Sequence, residues 1–203
     1  MNYKIILIGG GSASGKTYIS NKIKQTLKEE NILHICIDDY YNDFSSLSME
    51  ERNKINYDSP DTFDWKLLYE HINSLRQGQP IDKPVYDYTI HNRCSERIKV
   101  YPRPIIIIEG IMALVKNDIR KIGDLKVFIN ALPETRFRRR FERDRISRGR
   151  SPESIINQYN NQVIPVFKEL IEPTKQYADL IINNEDNDDT DINRLIEYIK
   201  QYI

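Results

Sequence analysis

Cysteine is scarce in this 203-residue chain: Cys36 and Cys94 are the only two, far apart and in no metal-ligand spacing. That excludes a disulfide framework and a cysteine-held metal centre, and it fits a reduced, cytoplasmic chain. Long apolar runs are missing as well. No stretch approaches the roughly 18 residues that a membrane span requires. The N-terminus lacks the basic, apolar and small-residue pattern of a signal peptide, so neither membrane insertion nor secretion is expected. Neither sign of charge dominates, since 30 basic residues balance 30 acidic ones. A zero balance argues against a general nucleic-acid binder, although a local basic cluster can still hold phosphate. There is no internal repeat and no low-complexity linker. The length suits one α/β domain over 1–203 with a substantial buried core. Glycine is rare too, eight in all, yet four of them fall within "GGGSASGKTY" at 9–18.

The elements around that stretch alternate. "YKIILIG" reads as a short apolar strand, and residues 16 to about 29 as a helix with Ile19, Ile23 and Leu27 on one face. "ILHICI" (32–37) reads as a second strand. "SLSMEERNK" (46–54) reads as a short helix capped by Ser48, and 64–78 as a helix ending at Gly78. "KPVYDYTI" and "RIKVYP" read as a hairpin inserted at about 80–102. "PIIIIEG" (104–110) fits a strand buried on both faces. "LKVFIN" (125–130) and "ADLIIN" (178–183) add two strands. Helices are expected over 133–147, 151–171 and 190–203, and the acidic "NNEDNDDTD" (183–191) reads as a solvated loop. Apolar strands alternating with helices predict a five-stranded parallel sheet covered on both faces, with ligands at the carboxyl ends of its strands.

Gly10, Gly15, Lys16 and Thr17 match G-x-x-x-x-G-K-[ST], after a strand and before a helix, as that motif requires. Glycines let the backbone curl until successive N–H groups point at one anion. The helix that follows adds unpaired N–H groups and the positive end of its dipole. Lys16 supplies a full charge at the β and γ phosphates, and the Thr17 hydroxyl can ligate Mg²⁺. The nucleotide-binding candidates are Gly10, Gly11, Ser12, Ala13, Ser14, Gly15, Lys16, Thr17 and Tyr18.

Phosphoryl transfer also needs a carboxylate for the acceptor hydroxyl and cations that follow the moving charge. Asp38 and Asp39 follow the second strand, and Glu109 ends a buried one. Glu109 is the candidate for Mg²⁺, as a Walker B-like acid. Asp38 is the candidate base, with Asp39 the alternative. "ETRFRRRFERDRISRGR" (134–150) holds eight arginines in seventeen residues. On a helix Arg136, Arg140 and Arg143 share a face, and Arg148 and Arg150 flank Gly149, where the helix should break. An arginine-rich lid over polyphosphate, about 136–152, explains so many guanidinium groups, which bind phosphate bidentately.

Several stretches together resemble the uridine kinase (uridine–cytidine kinase) family of P-loop kinases. They are "GGGSASGKT", "DDYY", "SLSMEERNKINYDSPDTFDW", "PVYDYTIHNR", "IIIIEGI", "RRRFERDRISRGRS" and "IEPTKQYADLII", in matching order from 5 to about 183. The resemblance implies transfer from ATP or GTP to the 5′-hydroxyl of uridine or cytidine. It assigns Asp38 as the base, and Asp58 as the acid that holds the ribose hydroxyls. It implies that Tyr86 and His91 stack on and hydrogen-bond the pyrimidine. Arg140, Arg143 and Arg150 match positions serving substrate and phosphates, with Arg143 counted beside Asp38 and Lys16 as catalytic. Arg148 matches a donor contact and Gln158 a further substrate contact. A homotetramer is also implied. The chain departs from the family at Tyr18, usually a small hydroxyl residue, and at "NNEDND", usually a basic, glycine-containing turn. His34 and His71 match no family motif and read as structural.

Other functions are less well supported. A GTPase switch needs D-x-x-G and N-K-x-D, and both are missing. Related small-molecule kinases do not need "PVYDYTIHNR" in this form. Retention of Lys16, Thr17, Asp38 and Glu109 argues against a lapsed enzyme.

Overall fold

The structure is a computed structural model that describes residues 3–185 and 189–202. Five parallel strands form the central sheet: β1 (Lys4–Gly10), β2 (Ile32–Cys36), β5 (Ile105–Glu109), β6 (Leu125–Asn130) and β7 (Leu180–Asn183), in the order β2-β5-β1-β6-β7. Two further strands, β3 (Ile81–Asp87) and β4 (Asn92–Val100), pair antiparallel as a separate hairpin. Both match the sequence expectation.

The apolar runs make the sheet buried on both sides. In β1, Ile5 and Leu7 face one layer while Ile6 and Ile8 face the other. β5 divides likewise, Ile106 and Ile108 against Ile105 and Ile107, all four wholly buried. One layer is α1 (Lys16–Thr26), through Ile19 and Ile23, with the closing helix Thr190–Lys200, through Leu195 and Ile199. The opposite layer contains α3 (Trp65–Arg76) and α4 (Asn117–Ile122). Each fully buried isoleucine contributes about 1.5–3 kcal/mol relative to exposure.

Local signals set the boundaries. α2 (Met49–Asn53) begins at Ser48, whose hydroxyl accepts from the Glu51 backbone N–H while the Glu51 carboxylate accepts from the Ser48 N–H. α3 starts at Asp64, which accepts from the Leu67 N–H, and Gly78 beyond its end has φ +81°. α5 (Pro133–Ser147) breaks before Gly149, φ +61°, and α6 (Pro152–Gln158) starts at the Ser151 cap.

Two differences from the sequence reading stand out. α4 was not foreseen, because six residues carry too little periodicity to register. The helix expected over 151–171 is not uniform: after α6 it widens into π-type turns at Tyr159–Val163 and Phe167–Ile171 before a tight segment at Glu172–Tyr177. Pro165 between the wide turns lacks the N–H that an α-helix uses there. The acidic loop lies between Asn183 and Thr190, with 186–188 outside the described residues.

Candidate active site

Parallel strands deliver their carboxyl ends to one edge. Glu109 is level with Cys36 of β2 and Ile8 of β1, directly below the glycine loop. The loop turns on Gly10 (φ +139°) and Gly15 (φ +98°), conformations that a side chain strains. A Cβ on Gly15 would run into the side-chain amide of Asn184. Gly15 then opens α1.

Lys16 is buried and donates to the carbonyls of Gly10 (3.1 Å) and Gly11 (2.9 Å). Burial lowers its pKa, opposed by the charges of Glu109 and Asp38. Thr17 Oγ1 donates to Glu109 Oε1 at 2.7 Å. Burial works against ionisation of Glu109. The His34 ring, the Lys16 charge and the Thr17 hydroxyl outweigh it and hold that carboxyl below the usual range. His34 Nε2 stands 3.6 Å from Oε1, beyond ordinary hydrogen-bond length.

A cavity of about 890 Å³ opens over this edge. Its walls bring together the loop (Ser12, Ala13, Gly15, Lys16, Thr17, Tyr18), the acids Asp38, Asp58 and Glu109, and Tyr86 and His91 of the hairpin. Arg140, Arg143, Arg148 and Arg150 of the arginine-rich segment line it too, with Gln158 of α6. Gly10, Gly11 and Ser14 stand behind the wall as the backbone that shapes the loop; Ser14 is wholly buried.

The adjacent aspartates point in different directions. Asp39 turns away from the cavity, accepting from the Lys83 ammonium and from the Tyr86 N–H (3.3 Å), which ties the hairpin to the sheet. Asp38 lines the cavity. The protein enclosing it, and then the Glu109 charge, raise its pKa. Asp58 is buried, and burial raises its pKa against the pull of Arg140 and Arg143.

The hairpin presents an aromatic wall. Tyr86 is buried, with its ring centroid 4.9 Å from Tyr41 and 5.1 Å from Tyr88. His91 stacks on Tyr57 at 5.6 Å and holds a left-handed backbone (φ +48°). Burial, then Arg148 and Arg150, lower its pKa, favouring the neutral imidazole.

The lid arginines are held from below. Asp144, wholly buried, lies 2.8 Å from Arg143 Nη2, 3.3 Å from Arg140 Nε and 3.6 Å from Arg148 Nη1. Arg140 also donates to Ser12 Oγ at 2.6 Å, and Gln158 Oε1 accepts from both Arg140 (2.9 Å) and Arg150. Arg136 shares the buried face with Arg140, as expected, but it does not line the cavity: its guanidinium packs on Phe167, 3.7 Å from the ring centroid. Tyr88 and Asp144 were not singled out from the sequence, and His34, read there as structural, stands beside Glu109. Tyr88 stands two positions after Tyr86, the period that places side chains on one side of an extended segment. Asp144 left no comparable signal.

Thr17 and Glu109 place two hard oxygen donors together, one ionised, which suits Mg²⁺ sharing its remaining positions with phosphates and water. Among the described residues no group of three or more His, Cys, Asp or Glu side chains could hold a metal alone, which that arrangement does not need. No helix of the described residues is long and apolar enough to cross a membrane.

A strand-loop-helix phosphate cradle on a parallel sheet, with an acid beside it and an arginine lid above, defines a P-loop kinase, a phosphotransferase. Residues 5–191 match the family model described as Phosphoribulokinase / Uridine kinase family, and the chain belongs to that family. A protein named uridine kinase from Lactobacillus helveticus is 46% identical over 192 residues, covering 94% of this chain and 91% of its own length. One of the same name from Anoxybacillus flavithermus is 48% identical over 184 residues, covering 90% and 87%. Among solved structures, phosphoribulokinase from Rhodobacter spheroides superposes with a TM-score of 0.68 at 16% identity, covering 90% of this chain and 70% of its own. At that identity the likeness concerns the fold alone.

Proposed function

We propose that this chain is a cytoplasmic pyrimidine nucleoside kinase. It transfers the γ-phosphate of ATP or GTP to the 5′-hydroxyl of uridine or cytidine and releases the nucleoside monophosphate. The observation that carries the reading is the division of labour between neighbours: Asp39 is committed to Lys83, and Asp38 faces the same cavity as Lys16. The uridine kinase relatives and the cavity's two halves, phosphate loop and aromatic hairpin, support it.

In this reading the loop from Gly10 to Thr17, with Tyr18 beside it, holds the donor, and Arg148 adds a donor contact. Asp58 takes the ribose hydroxyls. Tyr86 and His91 hold the pyrimidine, and Gln158 keeps Arg140 and Arg150 aimed at it. Thr17 and Glu109 would hold Mg²⁺, which would supply positive charge to the donor phosphates. Asp38 accepts the 5′-hydroxyl proton as that oxygen bonds to the γ-phosphorus. The bond from the γ-phosphorus to the bridging oxygen breaks, and the nucleoside diphosphate leaves. The raised pKa of Asp38 makes it a better base than an ordinary carboxylate. Lys16, Arg140 and Arg143 follow the charge, and the closed lid keeps water from the donor.

The test is steady-state phosphorylation with Mg·ATP and Mg·GTP against uridine, cytidine, adenosine and ribulose 5-phosphate, with products identified by mass. Uridine or cytidine monophosphate is the expected product. Turnover confined to adenosine or ribulose 5-phosphate overturns the reading. The same preparation, sized by light scattering, tests the expected homotetramer.

A further inference from the structure

Tyr88 touches three parts of the site at once. Its ring packs edge-on against Tyr86, centroids 5.1 Å apart. Its hydroxyl donates to Asp38 Oδ2 at 2.9 Å. The Arg148 guanidinium lies over its ring, 4.5 Å from the centroid, while Arg148 also reaches Asp144. Hairpin, acid and lid therefore meet on one side chain.

We propose that Tyr88 is a positioning residue for the transfer step: its hydroxyl fixes the Asp38 carboxylate through Oδ2, and its ring seats Arg148, so base and lid are ordered together. This rests on the reading of Asp38 as the base. A carboxylate on a short side chain turns freely in an open cavity unless something holds one oxygen. A phenol donating to an ionised acceptor is a strong, directional restraint. It occupies Oδ2 and leaves Oδ1 for the incoming hydroxyl. The proton from that hydroxyl passes to Oδ1. Tyr88 keeps its own proton throughout and is not a relay. The guanidinium over the ring gains a cation–π attraction, which gives the lid a seat on the substrate side.

The two contacts separate by mutation. Tyr88→Phe removes the hydroxyl and keeps the ring, whereas Tyr88→Leu removes both. Each is made in the full chain, alone and with Asp38→Asn, and kcat, donor KM and the calorimetric uridine dissociation constant are measured. Tyr88→Phe should lower kcat about ten- to hundredfold, the cost of a misplaced reacting group, with uridine binding unchanged. In the Asp38→Asn background it should lower kcat no further, because there is no base left to align. Tyr88→Leu should also raise donor KM, and Tyr88→Phe should not. Full kcat in Tyr88→Phe, or the same fractional loss in both backgrounds, overturns the proposal. An unchanged donor KM in Tyr88→Leu overturns the seating of Arg148. Undiminished turnover in Asp38→Asn alone overturns the base reading itself, an outcome distinct from the others.

Discussion

The carboxylate of Asp39 is paired with the ammonium of Lys83, across the junction between the end of β2 and the first strand of the hairpin. Both groups are mostly enclosed, 22% and 13% exposed. The pair fastens the hairpin to the sheet that carries the glycine loop. Lys83→Met should therefore act twice. It leaves a largely enclosed carboxylate without its partner, at a cost of about 1–3 kcal/mol, the lower end applying where water still reaches it. It also loosens the hairpin, so uridine KM should rise while donor KM holds. Urea denaturation and initial rates check both.

Asp38→Asn should lower kcat by two or more decades, with uridine still bound. In the unmutated chain the acid limb of the kcat profile should lie above the ordinary carboxylate range. In the proposed role Asp38 acts only when deprotonated, and its pKa is raised. The same shift carries a stability prediction. A carboxyl whose pKa is higher in the folded than in the unfolded state destabilises the fold once ionised. That penalty is complete above the folded pKa and absent below the unfolded one. The variant should therefore melt higher than the parent at neutral pH, with the gain vanishing as pH falls through that window. An equal or lower melting temperature at pH 7–8 contradicts the burial argument.

Glu109→Gln keeps the shape beside Thr17 and removes the charge. The Mg²⁺ concentration for half-maximal rate should rise about ten- to hundredfold. Manganese titration followed by electron paramagnetic resonance in the presence of ATP gives a readout independent of turnover.

Asp58→Ala should weaken uridine binding about ten- to hundredfold, since a carboxylate bond to a hydroxyl pair is charge-assisted. Deoxyuridine, with one ribose hydroxyl fewer, should lose less. A variant that still prefers uridine to deoxyuridine by the parent's ratio excludes Asp58 from the ribose.

Much of this protein is written locally. The apolar runs of β1 and β5 state that the sheet is covered on both faces, because both parities of the strand are isoleucine or leucine. Ser48 with Glu51 announces α2, and the glycines at 10 and 15 with Lys16 announce the cradle, since caps and tight turns depend on residues a few positions apart. Family resemblance carried Asp58, Tyr86, His91, Arg140 and Gln158 onto the site, and the fold brings all five to one cavity. What the sequence could not decide is direction and long-range approach. Asp38 and Asp39 are the same residue type in adjacent positions, and only the fold turns one toward Lys83 and the other toward the cavity. The Tyr88 hydroxyl reaches an aspartate 50 positions away, and Thr17 meets an acid 92 positions away. Such meetings are set by strand order and by the shared carboxyl edge of the sheet. Arg136, Arg140 and Asp144 likewise share a buried helix face, yet Arg136 packs on Phe167 while Arg140, paired with Asp144, reaches the cavity. Helical spacing specifies which side chains share a face; tertiary packing specifies what that face meets.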